Sequence, residues 1–368
     1  MAKKCYVGVN GVARKVVKGY VGVDGVARKI RKAYIGIGGV ARPCWGNSLE
    51  YYGTITPLSV ARQGLAAASI GDYALFGGGD ASDTCFTVVD AYNTSLARST
   101  PTGLSTGRSS LAATSIGDYA LFGGGKSSYY SSDVDAYNTS LTRSTPTKLS
   151  TPRMDLAATT IGSYALFAGG SESGSKPAIV DAYNTSLTRS SATSLSVGRY
   201  ALAATPVGGY ALFGGGCTSS AVSAVVDAYN TSLTRSTPTK LSVARYYLAA
   251  STIGGYALFA GGRDSSDAYS TVVDAYNESL IRSTPPALTA GGYTTHATSI
   301  GEYALFGAYG MHAVNVYNAS LIRDTLPVPS SGEYYYSSAT TVGNYALFGG
   351  GTRSGPTDVV QAYVYTEV

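Results

Sequence analysis

The stretch that decides the fold runs from Leu111 to Ser150 and reads LAATSIGDYALFGGGKSSYYSSDVDAYNTSLTRSTPTKLS. Apolar and β-branched residues form four short runs in it, and Gly, Asp, Asn and Ser residues separate these runs. Such runs favour strands, and the polar and glycine segments favour turns. The unit therefore predicts four consecutive antiparallel strands, here named a, b, c and d. Pro146 falls in strand d, which suits an edge position because edge strands need fewer backbone donors.

This unit recurs along the chain, and its period indicates the architecture. The tetrapeptide YALF opens strand b seven times, at spacings of 46, 45, 46, 46, 47 and 42 residues. Its copies begin at Tyr73, Tyr119, Tyr164, Tyr210, Tyr256, Tyr303 and Tyr345. Four short strands per unit of this length are typical of a propeller blade. The sequence thus predicts an all-β protein with a seven-bladed β-propeller.

The two ends of the repeat region complement each other. The seventh unit ends at Val368 without a strand d, whereas residues 51–62, YYGTITPLSVAR, match strand d of the other units and the residues that follow it. We therefore expect an N-terminal strand to complete the last blade, which leaves no open edge in the ring. The predicted domains are a module at residues 1–46 and a propeller at residues 47–368.

Three recurring features resemble the kelch repeat over about residues 51–368. They are a double glycine after strand b, a tyrosine in strand c and an arginine before the next strand a. The tyrosines are Tyr92, Tyr137, Tyr183, Tyr229, Tyr276, Tyr317 and Tyr363, and the arginines are Arg62, Arg108, Arg153, Arg199 and Arg245. The resemblance implies a kelch-like propeller. The chain departs from the kelch pattern because Arg stands near the usual Trp position, and units six and seven lack the preceding arginine.

Residues 1–46 form a strongly basic module. They hold ten Lys and Arg residues and one acid, Asp24, for a net charge of +9, whereas the remainder, with 17 bases and 21 acids, carries −4. Three 14-residue repeats place Asn-Gly, Asp-Gly and Gly-Gly turns between β-rich arms. These turns are strong hairpin signals, so the module is expected to form a six-stranded hairpin meander.

The module offers Arg14, Arg28, Arg42 and Trp45 as candidate attachment residues. Its repeats, which end in ARPCW, resemble the N-terminal segments of tail or fibre-type structural proteins of phages and prophages of Gram-positive bacteria. The resemblance implies attachment to virion proteins, a virion location after assembly in the bacterial cytoplasm, and compatibility with a homo-oligomer. The charge could also serve nucleic-acid binding, but the sequence favours basic side chains that protect exposed strand edges.

No pattern of catalytic or metal-binding residues stands out in the sequence. The two histidines, His296 and His312, have no Cys or carboxylate at metal-ligand spacing, and the glycine runs end strands instead of opening helices. The prediction is therefore no cofactor, no metal and no enzymatic activity. Neither a secretory signal nor an apolar run of membrane-spanning length is expected, which predicts no membrane insertion. A disulfide between Cys5 and Cys44 stays open.

Comparison among the units separates two faces of the disc. The a–b and c–d turns are nearly constant, whereas the b–c loops and d–a connections vary. Because consecutive strands are antiparallel, the a–b and c–d turns lie on one face of the disc, here the constant face. The b–c loops and d–a connections lie on the other, here the variable face. The variable face is rich in Tyr, Ser and Asp, as binding surfaces often are. Its candidate binding residues are Tyr129, Tyr130, Tyr200, Tyr246, Tyr247, Tyr269, Tyr293, Tyr309, Tyr334, Tyr335, Tyr336, Asp155 and Asp264.

These observations predict a non-enzymatic virion structural protein of a phage or prophage. Its propeller would bind a receptor or another surface ligand, either a cell-surface glycan or a protein. One alternative is an intracellular bacterial kelch-like scaffold for protein interactions. Another is a propeller enzyme that acts on glycans.

Overall fold

The computed structural model describes residues 6–9, 12–15, 19–23, 26–30, 32–37, 40–309, 313–327, 337–352 and 354–367. These residues contain strands, turns and loops, and none of them belongs to a helix that could span a membrane. The observed fold is the all-β fold that the repeats predict. It comprises three N-terminal hairpins and a seven-bladed propeller.

The basic module forms three separate two-stranded antiparallel sheets. The pairs are β1 (Tyr6–Val9) with β2 (Val12–Lys15), β3 (Gly19–Val23) with β4 (Val26–Ile30), and β5 (Lys32–Ile37) with β6 (Val40–Gly46). The six predicted strands are therefore present. Within the described residues they pair only across their own turns and do not form one continuous sheet, because each 14-residue repeat has room for one short hairpin.

The propeller contains seven four-stranded antiparallel sheets, here blades 1–7. Blade 1 consists of β8 (Ala66–Ile70), β9 (Tyr73–Gly77), β12 (Val89–Asn93) and β13 (Arg98–Ser99). Blade 2 consists of β14 (Ala112–Ile116), β15 (Tyr119–Gly123), β16 (Val134–Asn138) and β17 (Arg143–Ser144). Blade 3 consists of β18 (Ala157–Ile161), β19 (Tyr164–Ala168), β20 (Val180–Asn184) and β21 (Arg189–Ser191). The b–c loop of blade 1 adds a small hairpin of β10 (Asp80–Ala81) and β11 (Thr84–Cys85).

The remaining blades follow the same order of strands. Blade 4 consists of β22 (Ala203–Val207), β23 (Tyr210–Gly214), β24 (Val226–Asn230) and β25 (Arg235–Ser236). Blade 5 consists of β26 (Ala249–Ile253), β27 (Tyr256–Ala260), β28 (Val273–Asn277) and β29 (Arg282–Ser283). Blade 6 consists of β30 (Tyr293–Ile300), β31 (Tyr303–Tyr309), β32 (Ala313–Asn318) and β33 (Arg323–Pro327). Blade 7 consists of β34 (Ser338–Val342), β35 (Tyr345–Gly349), β36 (Val360–Thr366) and β7 (Ser48–Ile55).

The ring closes through the first propeller strand, as predicted. Strand β7 pairs antiparallel with β36, from Ile55 opposite Val360 to Ser48 opposite Thr366. The a strands of successive blades lie side by side around the axis, and β34 of blade 7 lies beside β8 of blade 1. The N-terminal and C-terminal strands of the propeller therefore share one sheet, and this pairing holds the ring shut.

The apolar core is divided among the seven interfaces between blades. One cluster joins Leu75 and Val89 of blade 1 to Phe122 and Tyr137 of blade 2. The equivalent cluster at the closure joins blade 7 to blade 1. Each blade thus buries its apolar side chains mainly against its neighbours, so one blade alone would lack a core.

The recurring tyrosine of strand c links neighbouring blades. In blade 3 the fully buried Tyr183 donates a hydrogen bond of 2.7 Å to the Thr147 carbonyl, which lies after strand d of blade 2. The Tyr183 ring packs edge-on against Phe167, 5.9 Å between centroids. The same hydroxyl-to-carbonyl bond recurs from Tyr92, Tyr137, Tyr229, Tyr276, Tyr317 and Tyr363. Burial is the main cause that raises the pKa of these tyrosines, so they stay neutral donors.

The arginine before strand a forms a buried ion pair with the aspartate of strand c. In blade 3, Arg153 Nη2 lies 2.8 Å from Asp181, and both side chains are fully buried. The same nitrogen donates to the Phe167 carbonyl at 3.1 Å, and Arg189 binds the other carboxylate oxygen at 2.9 Å. Equivalent pairs are Arg62–Asp90, Arg108–Asp135, Arg199–Asp227 and Arg245–Asp274. The arginines before strand a of blades 1–5 therefore have a structural role.

Blades 6 and 7 have lost both charges of this pair together. Strand c carries Asn315 in blade 6 and Gln361 in blade 7, where the other blades carry aspartate. The Asn315 amide oxygen accepts a hydrogen bond of 2.9 Å from the Thr289 backbone. Because a buried charge without its partner is costly, the absence of both members leaves neither charge buried alone at these positions.

We predict that Arg153→Met lowers the free energy of unfolding by about 3–5 kcal/mol, because Asp181 then loses its main partner in a buried site. Adding Asp181→Asn should restore part of the loss. Lys148→Met removes an exposed pair with Asp133 and should change stability by at most about 1 kcal/mol. Urea denaturation of the four proteins measures these differences, and equal effects of Arg153→Met and Lys148→Met would contradict the prediction.

Candidate functional site

The constant face owes its uniform sequence to packing. The a–b turn glycine Gly71 has a φ of 51°, and a Cβ there would lie 3.2 Å from Thr139 in the c–d turn of blade 2. In that c–d turn the Asn138 side chain accepts hydrogen bonds from the Ser140 and Thr142 backbone. The recurring Asn-Thr-Ser triplets are thus turn formers. Because packing explains why the a–b and c–d turn sequences are constant, the evidence for a function has to come from the variable face itself.

The variable face brings the d–a connections and b–c loops together. In blade 5 the Tyr246 amide donates to the Arg263 carbonyl at 2.9 Å, and the Arg263 amide donates back at 2.8 Å. The equivalent pairs in the other blades are Gln63–Asp80, Ser109–Lys126, Met154–Ser171 and Tyr200–Cys217. One backbone arrangement therefore carries a different side chain in each blade, and the fold does not prescribe which side chain stands there.

Five residues of the d–a connections form an arc around the axis, here the axial ring: Gly64, Ser110, Asp155, Ala201 and Tyr247. Each has a positive φ between 51° and 63°. The amide of each residue from Ser110 onward donates to the carbonyl of its counterpart in the preceding blade, at 2.8–3.0 Å. The axial ring therefore joins blades 1–5 by backbone hydrogen bonds and fixes where its side chains emerge.

A cavity of about 170 Å³, here the axial cavity, opens beside the axial ring. Its lining residues are Ser110, Leu111, Asp155, Leu156, Ala201, Leu202, Tyr247 and Leu248. This volume corresponds to about six water molecules at ~30 Å³ each. Leucines dominate its wall, and Asp155 is the lining residue that ionises at neutral pH. Ligand sites usually combine apolar lining residues with a few placed polar groups, as this cavity does.

Asp155 has an altered protonation behaviour in this cavity. Burial raises the pKa of its carboxyl to about 6, although a hydrogen bond with Ser110 and the charge of Lys176 act in the opposite direction. The carboxyl therefore changes charge close to neutral pH. Groups with displaced pKa values inside a cavity are candidates for functional residues.

Cations of the chain lie over tyrosine rings beside the cavity. The Lys176 ammonium lies 4.6 Å from the Tyr200 ring centroid and 2.7 Å from Ser171 Oγ. Lys126 lies over Tyr130 of its own b–c loop in blade 2, at 5.1 Å. Burial is the main cause that raises the pKa of Tyr200 to about 12. The surface around the cavity thus combines aromatic rings with positive charges.

Blade 5 carries the densest group of predicted binding residues. The Tyr246 hydroxyl donates a hydrogen bond to Asp267, and the rings of Tyr246 and Tyr247 lie 5.2 Å apart. The Arg263 guanidinium lies over the Tyr269 ring at 5.2 Å and pairs with Asp267. These contacts hold the side chains in place before any ligand arrives.

The other predicted site residues are more scattered. Tyr129 is the most exposed, at 83%, and Asp264 stabilises its own loop by accepting bonds from Ser266 and Ala268. Tyr293 and Tyr309 are paired residues of β30 and β31. Tyr334, Tyr335 and Tyr336 lie outside the described residues. Arg14, Arg28, Arg42 and Trp45 belong to the hairpin strands β2, β4 and β6.

Sequence reasoning missed Ser110 and Lys176 as parts of this site. The signal for Ser110 was its repeat position, which it shares with Asp155, Ala201 and Tyr247. His296 takes a structural position, because its ring packs on Phe348 at 5.4 Å and bonds Ser337 at 2.7 Å. His312 and Cys5 lie outside the described residues, and within those residues no group of three or more His, Cys, Asp or Glu side chains could hold a metal.

Comparisons with known proteins define the class of fold. No known family profile and no curated protein sequence matches the chain. Among solved structures, the chain is similar to YjhT, with a TM-score of 0.57 and 11% identity over 83% of this chain and 99% of that one. The likeness shows the fold, a seven-bladed β-propeller. Membership of the kelch family and the likeness of the N-terminal module to phage tail proteins stay predictions.

The comparison corrects one prediction. The absence of catalytic motifs led to the expectation that the protein is not an enzyme, and the likeness to the propeller YjhT contradicts that expectation. The physical reason for the error is that propeller sites are assembled from single residues of several blades, which leave no local motif. At 11% identity the likeness carries no individual residue of that protein to this chain.

We predict that Asp155 makes the protein less stable as the pH rises from about 4 to about 6. In that range the unfolded carboxyl, with an ordinary pKa of ~3.9, has ionised, whereas the folded one, with a pKa of about 6, still holds its proton. Unfolding then releases a proton, so stability falls with rising pH. Between pH 4 and pH 7 the melting temperature should fall further for the wild type than for Asp155→Asn. Parallel pH profiles of the two proteins would contradict this.

Proposed function

We propose that the propeller binds a ligand displayed on a biological surface, with the axial cavity at the centre of its variable face. The observation that carries this proposal is the group of tyrosines and charged side chains around that cavity. The backbone at these positions is the same from blade to blade, whereas Gln63, Ser109, Met154, Tyr200 and Tyr246 differ. The side chains are therefore not explained by folding, and their chemistry suits recognition.

The composition of the variable face supports a glycan or a protein as ligand. Tyrosine provides a large contact area with little loss of side-chain entropy, and hydroxyls and charges around it add directional bonds. Internal hydrogen bonds and cation–ring contacts already hold Tyr246 and Tyr200. Such preorganisation reduces the entropy that is lost on binding.

The route of the chain supports an attachment role for the basic module. Ser48 pairs with Thr366 at the start of β7, and the neighbouring Tyr365 amide donates to Asn344 in the a–b turn of blade 7. The chain therefore arrives in the propeller on the constant face, opposite the axial cavity. We propose that residues 1–46 attach the protein to a larger particle, such as a phage or prophage virion, while the propeller presents its variable face outward.

A second candidate function is chemical action on a glycan, and Asp155 favours it. A carboxyl with a pKa of about 6 in a cavity can donate a proton to a leaving oxygen near neutral pH. If so, Asp155→Asn should retain glycan binding and lose at least ~100-fold in turnover. Release of sugar from a panel of oligosaccharides measures this, and equal turnover by the wild type and Asp155→Asn would remove Asp155 from such a role.

We predict that the double variant Tyr246→Ala, Tyr247→Ala reduces binding to the surface ligand at least tenfold and leaves the melting temperature within a few degrees of the wild type. Ala201 holds the position of Tyr247 in blade 4 with a φ of 53°, so alanine fits there. Binding is measured by pull-down of the labelled protein on cells and isolated cell-surface glycans.

The matched control is Tyr52→Ala, because Tyr52 is 55% exposed and contacts Tyr345 at the constant-face end of blade 7. This variant should bind like the wild type. Undiminished binding by the double variant, or an equal loss with Tyr52→Ala, would refute the assignment of the variable face.

A further inference from the structure

The residues that line the axial cavity indicate which chemical group of the ligand binds there, an inference that rests on the proposed function. We propose that the cavity takes a primary ammonium group of the ligand, which the Asp155 carboxylate binds. The group can be the amine of an amino sugar or of a lysine side chain. The ligand would thus insert one positively charged end into the propeller axis and contact the surrounding tyrosines with the rest of its surface.

The charge of the cavity wall supports a cation. Asp155 is the lining residue that ionises at neutral pH, and Ser110 beside it offers a hydroxyl oxygen. An ammonium group has three donors and no acceptor, so a carboxylate and a hydroxyl match it. An anionic ligand group would instead meet the like charge of the Asp155 carboxylate, which is unfavourable.

The wall also fits the carbon skeleton that bears an amine. Leu111, Leu156, Leu202 and Leu248 line the cavity together with Tyr247. Amines on aliphatic stems bury their methylene groups along apolar surface and keep the charged head on a polar partner. A volume of about 170 Å³ has room for a terminal group or a side branch of a larger ligand.

The chain shows the same recognition chemistry next to the cavity. The ammonium of Lys176 is already bound between the Tyr200 ring and the Ser171 hydroxyl, and Lys126 and Arg263 lie over rings elsewhere on the same face. Aromatic faces attract cations through the ring quadrupole. Lys176 also interacts with Asp155 by charge, and a ligand ammonium would compete with this interaction.

The test uses the full chain and two pairs of small probes. One pair is methyl glucosaminide and methyl N-acetylglucosaminide; the other is Nα-acetyl-lysine methylamide and its Nε-acetylated form. Calorimetric titration at pH 7 should show at least tenfold tighter binding of the free amine in at least one pair. The pair that responds identifies the source of the amine.

Three variants and a pH series sharpen the test. Asp155→Asn should abolish the preference for the amine, whereas the matched control Asp83→Asn, an exposed residue with a similar φ of 66°, should keep it. Lys176→Met should strengthen amine binding, because a competing cation is removed. Between pH 7 and pH 5, amine affinity should fall about tenfold as the Asp155 carboxyl takes up its proton.

Several results would overturn the inference. One is equal binding of the free and the acetylated amines. Another is an unchanged preference for the free amine in Asp155→Asn, with the stability of the wild type. A third is tighter binding at pH 5, which would mean that the protonated carboxyl donates a hydrogen bond to a neutral ligand. If the intact surface is still bound and Tyr246→Ala, Tyr247→Ala still abolishes that binding, the proposed function stands and only the ammonium assignment falls. The proposed function itself would fall if neither the preference for the amine nor the effect of Tyr246→Ala, Tyr247→Ala on surface binding were found.

Discussion

The interface between neighbouring blades is the constraint on which the rest of this structure depends. Each blade contributes a buried tyrosine whose hydroxyl reaches a carbonyl of the preceding blade, and the rings of that tyrosine and of a strand-b phenylalanine fill the gap between the sheets. Because each core cluster lies between two blades, every blade depends on its neighbours, and the interface between blades 7 and 1 forms only when the ring is closed. Pairing of β7 with β36 supplies that closure. The fold therefore depends on a contact between the two ends of the propeller, whereas most other contacts lie between consecutive units.

The same interfaces distinguish residues with a structural role from those of the proposed binding face. The strand-c aspartates and the arginines that precede strand a are fully buried and neutralise each other, so their regular recurrence carries no information about a ligand. The variable face differs in kind, because identical backbone positions there carry Gly, Ser, Asp, Ala and Tyr around one cavity. An irregular side chain on a regular scaffold is what a binding surface needs, since the scaffold keeps its geometry while the side chains are chosen by the ligand.

Much of the fold could be predicted from the sequence, because the information for it is local and repeated. Four strand-like runs per unit, a fixed period and the unmatched strand near Tyr51 were enough to predict seven blades and their closure. The pairing of Arg153 with Asp181 could not be predicted, although both residues recur, because they lie 28 residues apart and meet only across the folded blade. The cavity was also hidden, since Ser110, Asp155 and Tyr247 come from three blades. The lack of a catalytic motif was a poor guide for the same reason.

The paired loss of charge in blades 6 and 7 has a consequence for symmetry. Blades 1–5 carry a buried aspartate in strand c, paired with an arginine, whereas strand c holds the uncharged Asn315 in blade 6 and Gln361 in blade 7. The disc therefore has a five-plus-two pattern and lacks sevenfold equivalence, so every rotation about its axis gives a distinguishable view. A partner that contacts the variable face across several blades would therefore meet a different set of side chains in each orientation about the axis.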